Sequence, residues 1–190
     1  MAQRAAQREK WVDSGLDALA EGGPEAVRVE RLAQRMGVTK GGFYGYFANR
    51  EALLEAMLDS WEHDSTRAVV EQVDSESLGE GARAFRAAQL TWAPGRLLNV
   101  DLAVREWARR DARVAARLAK VDRYRMDYLR QQMQALCDDP REVEARTLIA
   151  FSSILGMHYA GIVMEASAEQ RQDTIDLLTS PDTFRPPWRS

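Results

Sequence analysis

The chain has 190 residues, of which 45% are hydrophobic and 29% charged, and this balance excludes a disordered tract. Its formal net charge is −3, yet residues 1–50 carry eight Lys or Arg against six Asp or Glu, so the acidic excess lies in the remainder. The single cysteine, Cys137, excludes an internal disulfide. No stretch approaches the roughly 18 uncharged apolar residues that span a bilayer, and the first residues lack the apolar run of a signal peptide, so we expect a cytoplasmic protein without membrane contact.

An all-α fold is predicted, because Ala, Leu, Arg, Glu and Gln dominate the chain and alternating strand patterns are almost absent. The first helix is predicted over residues 3–19 and stops at the EGGPE that follows. The second, over residues 29–36, ends at Gly37, which can take the left-handed backbone that a sharp turn needs. Thr39 is placed to cap a third helix over residues 39–47.

Two helices joined by so short a turn predict a helix-turn-helix motif, whose second helix enters the major groove of DNA. We expect Ala33 to allow close packing of the two helices and Val38 to fill the turn between them. Glycine inside a helix costs roughly 1 kcal/mol relative to alanine, so a helix with three glycines needs packing to hold it. Phe43, Tyr46 and Phe47 are the expected anchors.

The glycines of the third helix allow a close approach to DNA, while base contacts must come from the few larger side chains beside them. Lys40 and Tyr44 are the first candidates for those contacts, with Thr39 at the helix start. Tyr46 is a candidate DNA contact as well as an anchor. The predicted DNA-facing residues of this helix are therefore Thr39, Lys40, Gly41, Gly42, Tyr44, Gly45 and Tyr46.

Six further helices are predicted, over residues 50–73, 79–92, 97–110, 111–137, 140–166 and 168–179. The stretch from Leu148 to Met164 is nearly uncharged and apolar on all sides. We therefore expect one side of this helix to cover the domain core and another to meet the same helix of a second subunit. Burial within one subunit is the alternative. The residues predicted at a dimer interface are Ser152, Gly156, Tyr159 and Gly161.

A site for a small-molecule effector is predicted in the same helical region, since ligand cavities are mostly apolar with a few polar groups. The alternative for each of the aromatic side chains is a place in the hydrophobic core. The candidate contacts for a hydrophobic or aromatic effector are Trp61, Trp92, Trp107, Tyr124, Tyr128 and His158.

No catalytic or metal site is predicted. The two histidines, His63 and His158, are separated by about 95 residues. No nucleophile motif, glycine-rich phosphate loop or Cys/His metal spacing occurs in the chain. We therefore expect neither an enzyme nor a bound metal or cofactor.

The segment from residue 28 to residue 58, RVERLAQRMGVTKGGFYGYFANREALLEAML, resembles the DNA-binding segment of the TetR family of transcriptional regulators. The resemblance lies in the Leu-Ala pair, the Gly-Val-Thr turn, the Tyr-x-x-Phe pattern and the Arg-Glu-x-Leu-Leu start of the next helix. It implies a three-helix DNA-binding domain in residues 1–50. It also implies a helical domain for effector binding and dimerisation in residues 51–180, before a flexible tail in residues 181–190.

The resemblance further implies individual roles in DNA binding. Tyr44 and Arg50 would contact the phosphate backbone, and Lys40 would stand at the start of the recognition helix. Arg28 departs from the family pattern, in which many relatives have a Ser or Thr cap for the second helix, and is a candidate phosphate contact instead. The implied function is a sequence-specific regulator, a homodimeric repressor that a small-molecule effector releases from a near-palindromic operator in double-stranded DNA. A helical ligand-binding or protein-interaction module with little DNA affinity is the alternative.

Overall fold

The computed structural model describes residues 2–79 and 95–159 and, outside these ranges, residues 82, 83, 86, 87, 90, 91, 167, 169, 170, 173 and 177. Regular secondary structure in this part of the chain is helical, which confirms the predicted all-α fold. The elements are α1 (Ala2–Gly22), a 3-10 turn (Pro24–Ala26), α2 (Val29–Arg35), α3 (Lys40–Phe43), α4 (Arg50–Asp64), α5 (Arg67–Ser75), α6 (Arg96–Ala108), α7 (Ala112–Gln134) and α8 (Pro140–Tyr159). No helix within the described residues is long and apolar enough to cross a membrane.

The chain divides into two compact units, and the divisions fall inside α5 and α7. The first unit contains Met1–Val69 and Thr91–Val121, and the second contains Val70–Leu90 and Asp122–Ser190. The first unit thus joins the helix-turn-helix segment to α4, α6 and the start of α7. The functional boundary predicted after residue 50 stays a prediction. The predicted helices over 79–92 and 168–179, and the last residues of the one over 140–166, lie largely outside the described residues.

The core of the first unit is built on α1. This helix packs against α2, α4 and α6, and α4 also packs against α6. Large apolar side chains fill the centre, and Trp11, Leu19 and Met57 are almost fully buried. Gly15 lets α1 and α4 approach closely, because a Cβ atom at this position would lie 2.6 Å from the Sδ atom of Met57. Close packing of this kind fixes α4 against α1.

A buried polar network joins α4 to α6 inside this core. The indole Nε1 of Trp61 donates to Oδ1 of Asp101 at 3.2 Å, and Nε of Arg105 donates to Oδ2 of the same carboxylate at 2.8 Å. All three side chains are buried, and Asp101 is 0% exposed. The charges of Asp101 and Arg105 neutralise each other, and this pairing offsets the cost of burying each of them away from water.

A second polar contact fastens the start of α7 to α4. Arg117 contacts three carboxylates, with Nη1 at 2.8 Å from Glu55, Nη2 at 2.5 Å from Asp59, and Nε donating to Glu62. The three acids are spaced by four and three residues, so they lie on one face of α4. We call this cluster the Arg117 clasp.

The predicted continuous helix over residues 50–73 is wrong, since α4 ends at Asp64 and α5 begins at Arg67. The hydroxyl of Thr66 donates to the backbone oxygen of Glu62 at 2.5 Å, while the amide of Thr66 donates to the oxygen of His63 at 3.2 Å. The hydroxyl of Thr66 occupies the backbone oxygen of Glu62, to which the amide of Thr66 would bond in a continuous helix. This competition for one carbonyl ends α4.

In the second unit, α7 and α8 share a small apolar cluster formed by Met133, Cys137, Val143 and Ala150. The inner face of α8 also buries the ion pair between Glu142 and Arg146, whose Oε1 and Nη2 atoms lie 2.8 Å apart. Leu148 and Ile149 are 59% and 40% exposed. These two side chains therefore face solvent in the single chain, which disagrees with the alternative of burial within one subunit, while the predicted contact with a second subunit stays a prediction.

Candidate nucleic-acid interface

The turn between α2 and α3 has the geometry that its sequence predicts. Gly37 adopts φ 66°, in the left-handed region. The hydroxyl of Thr39 accepts a hydrogen bond from the amide of Gly42 at 3.3 Å, which confirms Thr39 as the cap of α3. The expectation that Val38 fills the turn is wrong, because its side chain is 37% exposed and only its amide closes the turn, at 3.0 Å from the oxygen of Ala33.

The helix α3 is shorter than predicted and is held by aromatic packing. It ends at Phe43, and the next residues form tighter turns in which the amide of Gly45 bonds to the oxygen of Gly42. Phe43 is 0% exposed. Its ring meets that of Trp11 edge-on, with the ring centres 5.2 Å apart, and stacks on that of Phe47, with the ring centres 5.5 Å apart. Tyr46 is partly buried against the same core, so the three predicted anchors all pack as expected.

The outer side of this element presents small residues and two long polar side chains. Tyr44 is 56% exposed, and the side chain of Lys40 is 52% exposed. A Cβ atom at Gly41 or Gly42 would meet only the hydroxyl oxygen of Thr39, at 3.9 and 3.7 Å. Neither glycine has a left-handed backbone. No contact among the described residues therefore requires glycine at these two positions. We call the outer side, formed by Lys40, Gly41, Gly42, Tyr44 and Gly45, the α3 surface.

The N-terminal part of α1 brings basic side chains to the edge of the α3 surface. Arg4 donates from Nη2 to the backbone oxygen of Gly45 at 2.9 Å, and the guanidinium of Arg8 lies 4.9 Å from the centre of the Phe47 ring. A cleft of about 670 Å³ lies beside them, with Gly42 and Tyr46 in its lining. The edge of the α3 surface is therefore positively charged, as a surface that meets phosphates must be.

Lys40 itself forms an ion pair across the motif. Its Nζ atom lies 2.5 Å from Oε1 of Glu30, which belongs to the first turn of α2. The hydrogen bond between them lowers the pKa of Glu30 and raises the pKa of Lys40. Both groups are exposed, so the pair is screened by water.

Arg50 and Arg28 both contact the loop between α1 and α2. Nε of Arg50 donates to the backbone oxygen of Val27 at 2.7 Å, and its Nη2 donates to that of Pro24. Arg28 occupies the N-cap position of α2 without a side-chain capping bond and donates from Nε to the oxygen of Glu25 at 3.2 Å. Phosphate contacts by either arginine stay predictions. The structure adds that Arg50 holds this loop against the start of α4, where the side chain of Asn49 caps the amide of Ala52 at 2.9 Å.

The Arg50→Gln variant is expected to lower the free energy of unfolding by about 1–3 kcal/mol, because two partly buried backbone oxygens lose their donor. Urea unfolding followed by circular dichroism measures this. The control is Arg28→Gln, whose one exposed contact predicts a change within about 0.5 kcal/mol. Equal unfolding curves for the two variants would contradict a structural role of Arg50.

Four of the six candidate effector contacts have described side chains, two in each compact unit. Trp61 lies in the core of the first unit, and Trp107 lines a cleft of about 620 Å³ between the end of α1 and α6. Tyr124, 40% exposed, and the half-buried Tyr128 belong to the second unit. Trp92 and the side chain of His158 lie outside the described residues. An effector role for any of them stays a prediction.

The candidate dimer residues within the described range all lie at the surface of α8. Ser152 and Gly156 are exposed, and Tyr159 is 63% exposed. They accompany the exposed Leu148 and Ile149 on the same helix. Gly161 lies outside the described residues. Dimerisation through α8 stays a prediction.

Comparison with known proteins places the site in a family. Residues 12–57 match the model of the bacterial regulatory proteins, tetR family. Tetracycline repressor protein class A from transposon 1721 of Escherichia coli is 31% identical over 87 residues, which are 44% of this chain and 40% of that protein. Tetracycline repressor protein class C of Escherichia coli is 33% identical over 95 residues, which are 47% and 42% of the two chains. The chain thus spans less than half the length of these curated relatives.

Two solved structures share the fold over most of the chain. A transcriptional regulator from Rhodococcus sp. Rha1 superposes with a TM-score of 0.67 at 19% identity, covering 90% of this chain and 93% of that one. The fatty acid degradation regulator FadR from Bacillus halodurans gives a TM-score of 0.64 at 16% identity, covering 91% and 94%. These likenesses concern the fold alone. The match of residues 12–57 confirms the predicted resemblance of the N-terminal segment to the TetR family.

Proposed function

We propose that this protein is a transcriptional regulator that binds a specific DNA sequence through the α3 surface. The observation that carries the proposal is the pair Gly41 and Gly42, which no contact within the described chain explains. A Cβ atom at either position would make only an ordinary contact with the hydroxyl oxygen of Thr39, so the absence of side chains serves a partner that comes close. Tyr44 and Lys40 flank this opening and are available to that partner.

The proposal includes a twofold dimer that acts as a repressor. The exposed Leu148, Ile149 and Tyr159 of α8 supply apolar surface that a second copy of the chain would cover. The helix-turn-helix motifs of two protomers related by a twofold axis would bind two half-sites, so the operator is near-palindromic. A small-molecule effector that binds the form with low DNA affinity would shift the population away from the operator.

The experiment begins with selection of duplexes by the protein from a randomised pool. Fluorescence anisotropy then compares a selected duplex with a scrambled duplex of equal composition at several salt concentrations. We expect the Lys40→Ala/Tyr44→Ala variant to bind the selected duplex at least tenfold more weakly, since each lost contact costs about 1–3 kcal/mol. Lys120→Ala, which removes one exposed charge far along the chain in α7, is the control.

Enrichment of one sequence and loss of its binding in the α3 variant alone would support the proposal. A selection that yields no preferred sequence, or equal and salt-independent binding by all three proteins, would contradict it. The second result would favour a ligand-binding or protein-interaction module, because phosphate contacts release counterions and always produce a salt dependence.

A further inference from the structure

The carboxylate of Glu30 stands beside the surface assigned to DNA. Its Oε1 atom lies 2.5 Å from Nζ of Lys40, and the two side chains are 63% and 52% exposed. Glu30 is in the first turn of α2, and Lys40 is the first residue of α3. The contact therefore places a negative charge at the start of the recognition element, where a phosphate or a base edge would otherwise meet the lysine.

Glu30 acts on more than one cation of this surface. Its pKa is lowered first by the hydrogen bond from Lys40 and also by the charge of Arg28. The carboxylate thus offsets part of the positive charge of two side chains predicted to contact DNA, Lys40 by direct contact and Arg28 through its charge.

The ion pair between Glu30 and Lys40 is exposed, so Lys40 can exchange Glu30 for another acceptor. Exposed pairs contribute little to stability, typically within about 1 kcal/mol, because both ions remain hydrated. Lys40 can therefore leave Glu30 at small cost when a stronger acceptor comes within reach. A duplex held loosely through its phosphates does not offer such an acceptor at a fixed position, whereas a duplex docked closely on the α3 surface does.

We propose that Glu30 is a specificity-determining residue, which weakens binding to non-operator DNA more than binding to the operator by pairing Lys40 and repelling phosphates. On non-operator DNA the pair persists, so Lys40 is withheld from the phosphates and the carboxylate of Glu30 stays beside the approaching backbone. On the operator the close approach permitted by Gly41 and Gly42 lets Lys40 transfer to DNA. This inference rests on the proposed function.

The test compares Glu30→Gln with a matched control in the same unit. Glu21 forms an ion pair of similar length and exposure with Arg35, at the other end of α2, with Oε2 and Nη2 2.6 Å apart. Glu21→Gln therefore removes the same charge and frees one cation, but that cation is Arg35 and the pair with Lys40 stays intact. Anisotropy titrations with the selected and the scrambled duplex give the specificity ratio of each protein, which is the affinity for the selected duplex divided by that for the scrambled one.

We expect Glu30→Gln to raise affinity for the scrambled duplex by about fivefold, the size of one charge interaction of about 1 kcal/mol at contact distance in water. Affinity for the selected duplex should rise by less than twofold, so the specificity ratio falls. The dependence of log affinity on log salt for the scrambled duplex should steepen by about 0.9 for each protomer that gains a phosphate contact. Glu21→Gln should leave the specificity ratio unchanged.

Equal ratios for the two glutamine variants would overturn the inference, as would a fall in affinity of Glu30→Gln for the scrambled duplex. The Lys40→Gln background separates pairing from simple repulsion, because Glu30→Gln should then no longer change the ratio. A change that persists there would overturn the role of the pair. Wild-type protein that does not prefer the selected duplex would instead contradict the proposed function itself.

Discussion

Replacing Asp101 by alanine is expected to lower the free energy of unfolding by about 3–5 kcal/mol, because the carboxylate is fully buried and neutralises a buried guanidinium. The variant leaves Arg105 charged inside the core, and it removes the acceptor of the Trp61 indole. An uncompensated buried charge costs far more than the pair itself contributes. Loss of this size is a large part of the stability of a domain.

Urea unfolding at a fixed protein concentration measures the effect, with Glu106→Ala as the control. Glu106, on the same helix as Asp101, pairs at the same spacing with Arg110, which lies just past the end of α6; the two atoms are 2.8 Å apart, but both side chains are more than half exposed. Removing this carboxylate should change the free energy of unfolding by less than about 1 kcal/mol. Coincident unfolding curves for the two variants would show that burial of the Asp101 network does not matter.

Phe43→Ala is expected to destabilise the helix-turn-helix by about 3–5 kcal/mol, since it empties a fully buried site between Trp11 and Phe47. The helix α3 has four residues, two of them glycine, so packing rather than backbone preference holds it in place. Loss of the Phe43 ring should therefore raise amide hydrogen exchange throughout residues 29–47 and abolish specific DNA binding.

The neighbouring Tyr44→Ala variant is expected to weaken DNA binding without a loss of stability. Tyr44 is largely exposed and touches the ring of Phe43 only at its edge, with the ring centres 5.3 Å apart. Its removal should change stability by less than about 0.5 kcal/mol while it weakens DNA binding. If hydrogen exchange rises equally in the two variants, Phe43 does not anchor α3 as the structure indicates.

The helix-turn-helix could be predicted from the sequence because its signals are local. Thr39 caps α3, Asn49 caps α4 and Gly37 adopts the left-handed turn, and each of these roles depends on residues no more than a few positions away. The anchoring by Phe43 and Phe47 follows from their spacing of four on a short helix. The cap at Thr39 and the turn at Gly37 agree with the prediction, whereas α3 ends at Phe43 and not at residue 47.

Contacts between distant segments could not be predicted in the same way. The pairing of Glu30 with Lys40 spans ten residues and a turn, and that of Trp61 with Asp101 spans forty, so no spacing rule points to either. Arg50 illustrates the same limit, because its carbonyl partners precede it by more than twenty residues. The break after Asp64 was missed for another reason: the hydroxyl of Thr66 competes for a backbone carbonyl, while the apolar periodicity continues through it.

The Arg117 clasp, which attaches α7 to α4, has more acidic members than basic ones. The acidic side has three members, Glu55, Asp59 and Glu62, whereas one guanidinium contacts all three, and the ammonium group of Lys120 reaches only Glu62, at 3.7 Å. Loss of any one acid leaves two carboxylates on the arginine, but loss of the arginine leaves three like charges on one face of α4. Substitution of one acid on α4 is therefore tolerated, whereas substitution of Arg117 on α7 is not. Mutations that detach α7 from α4 are thus concentrated in the one codon for Arg117.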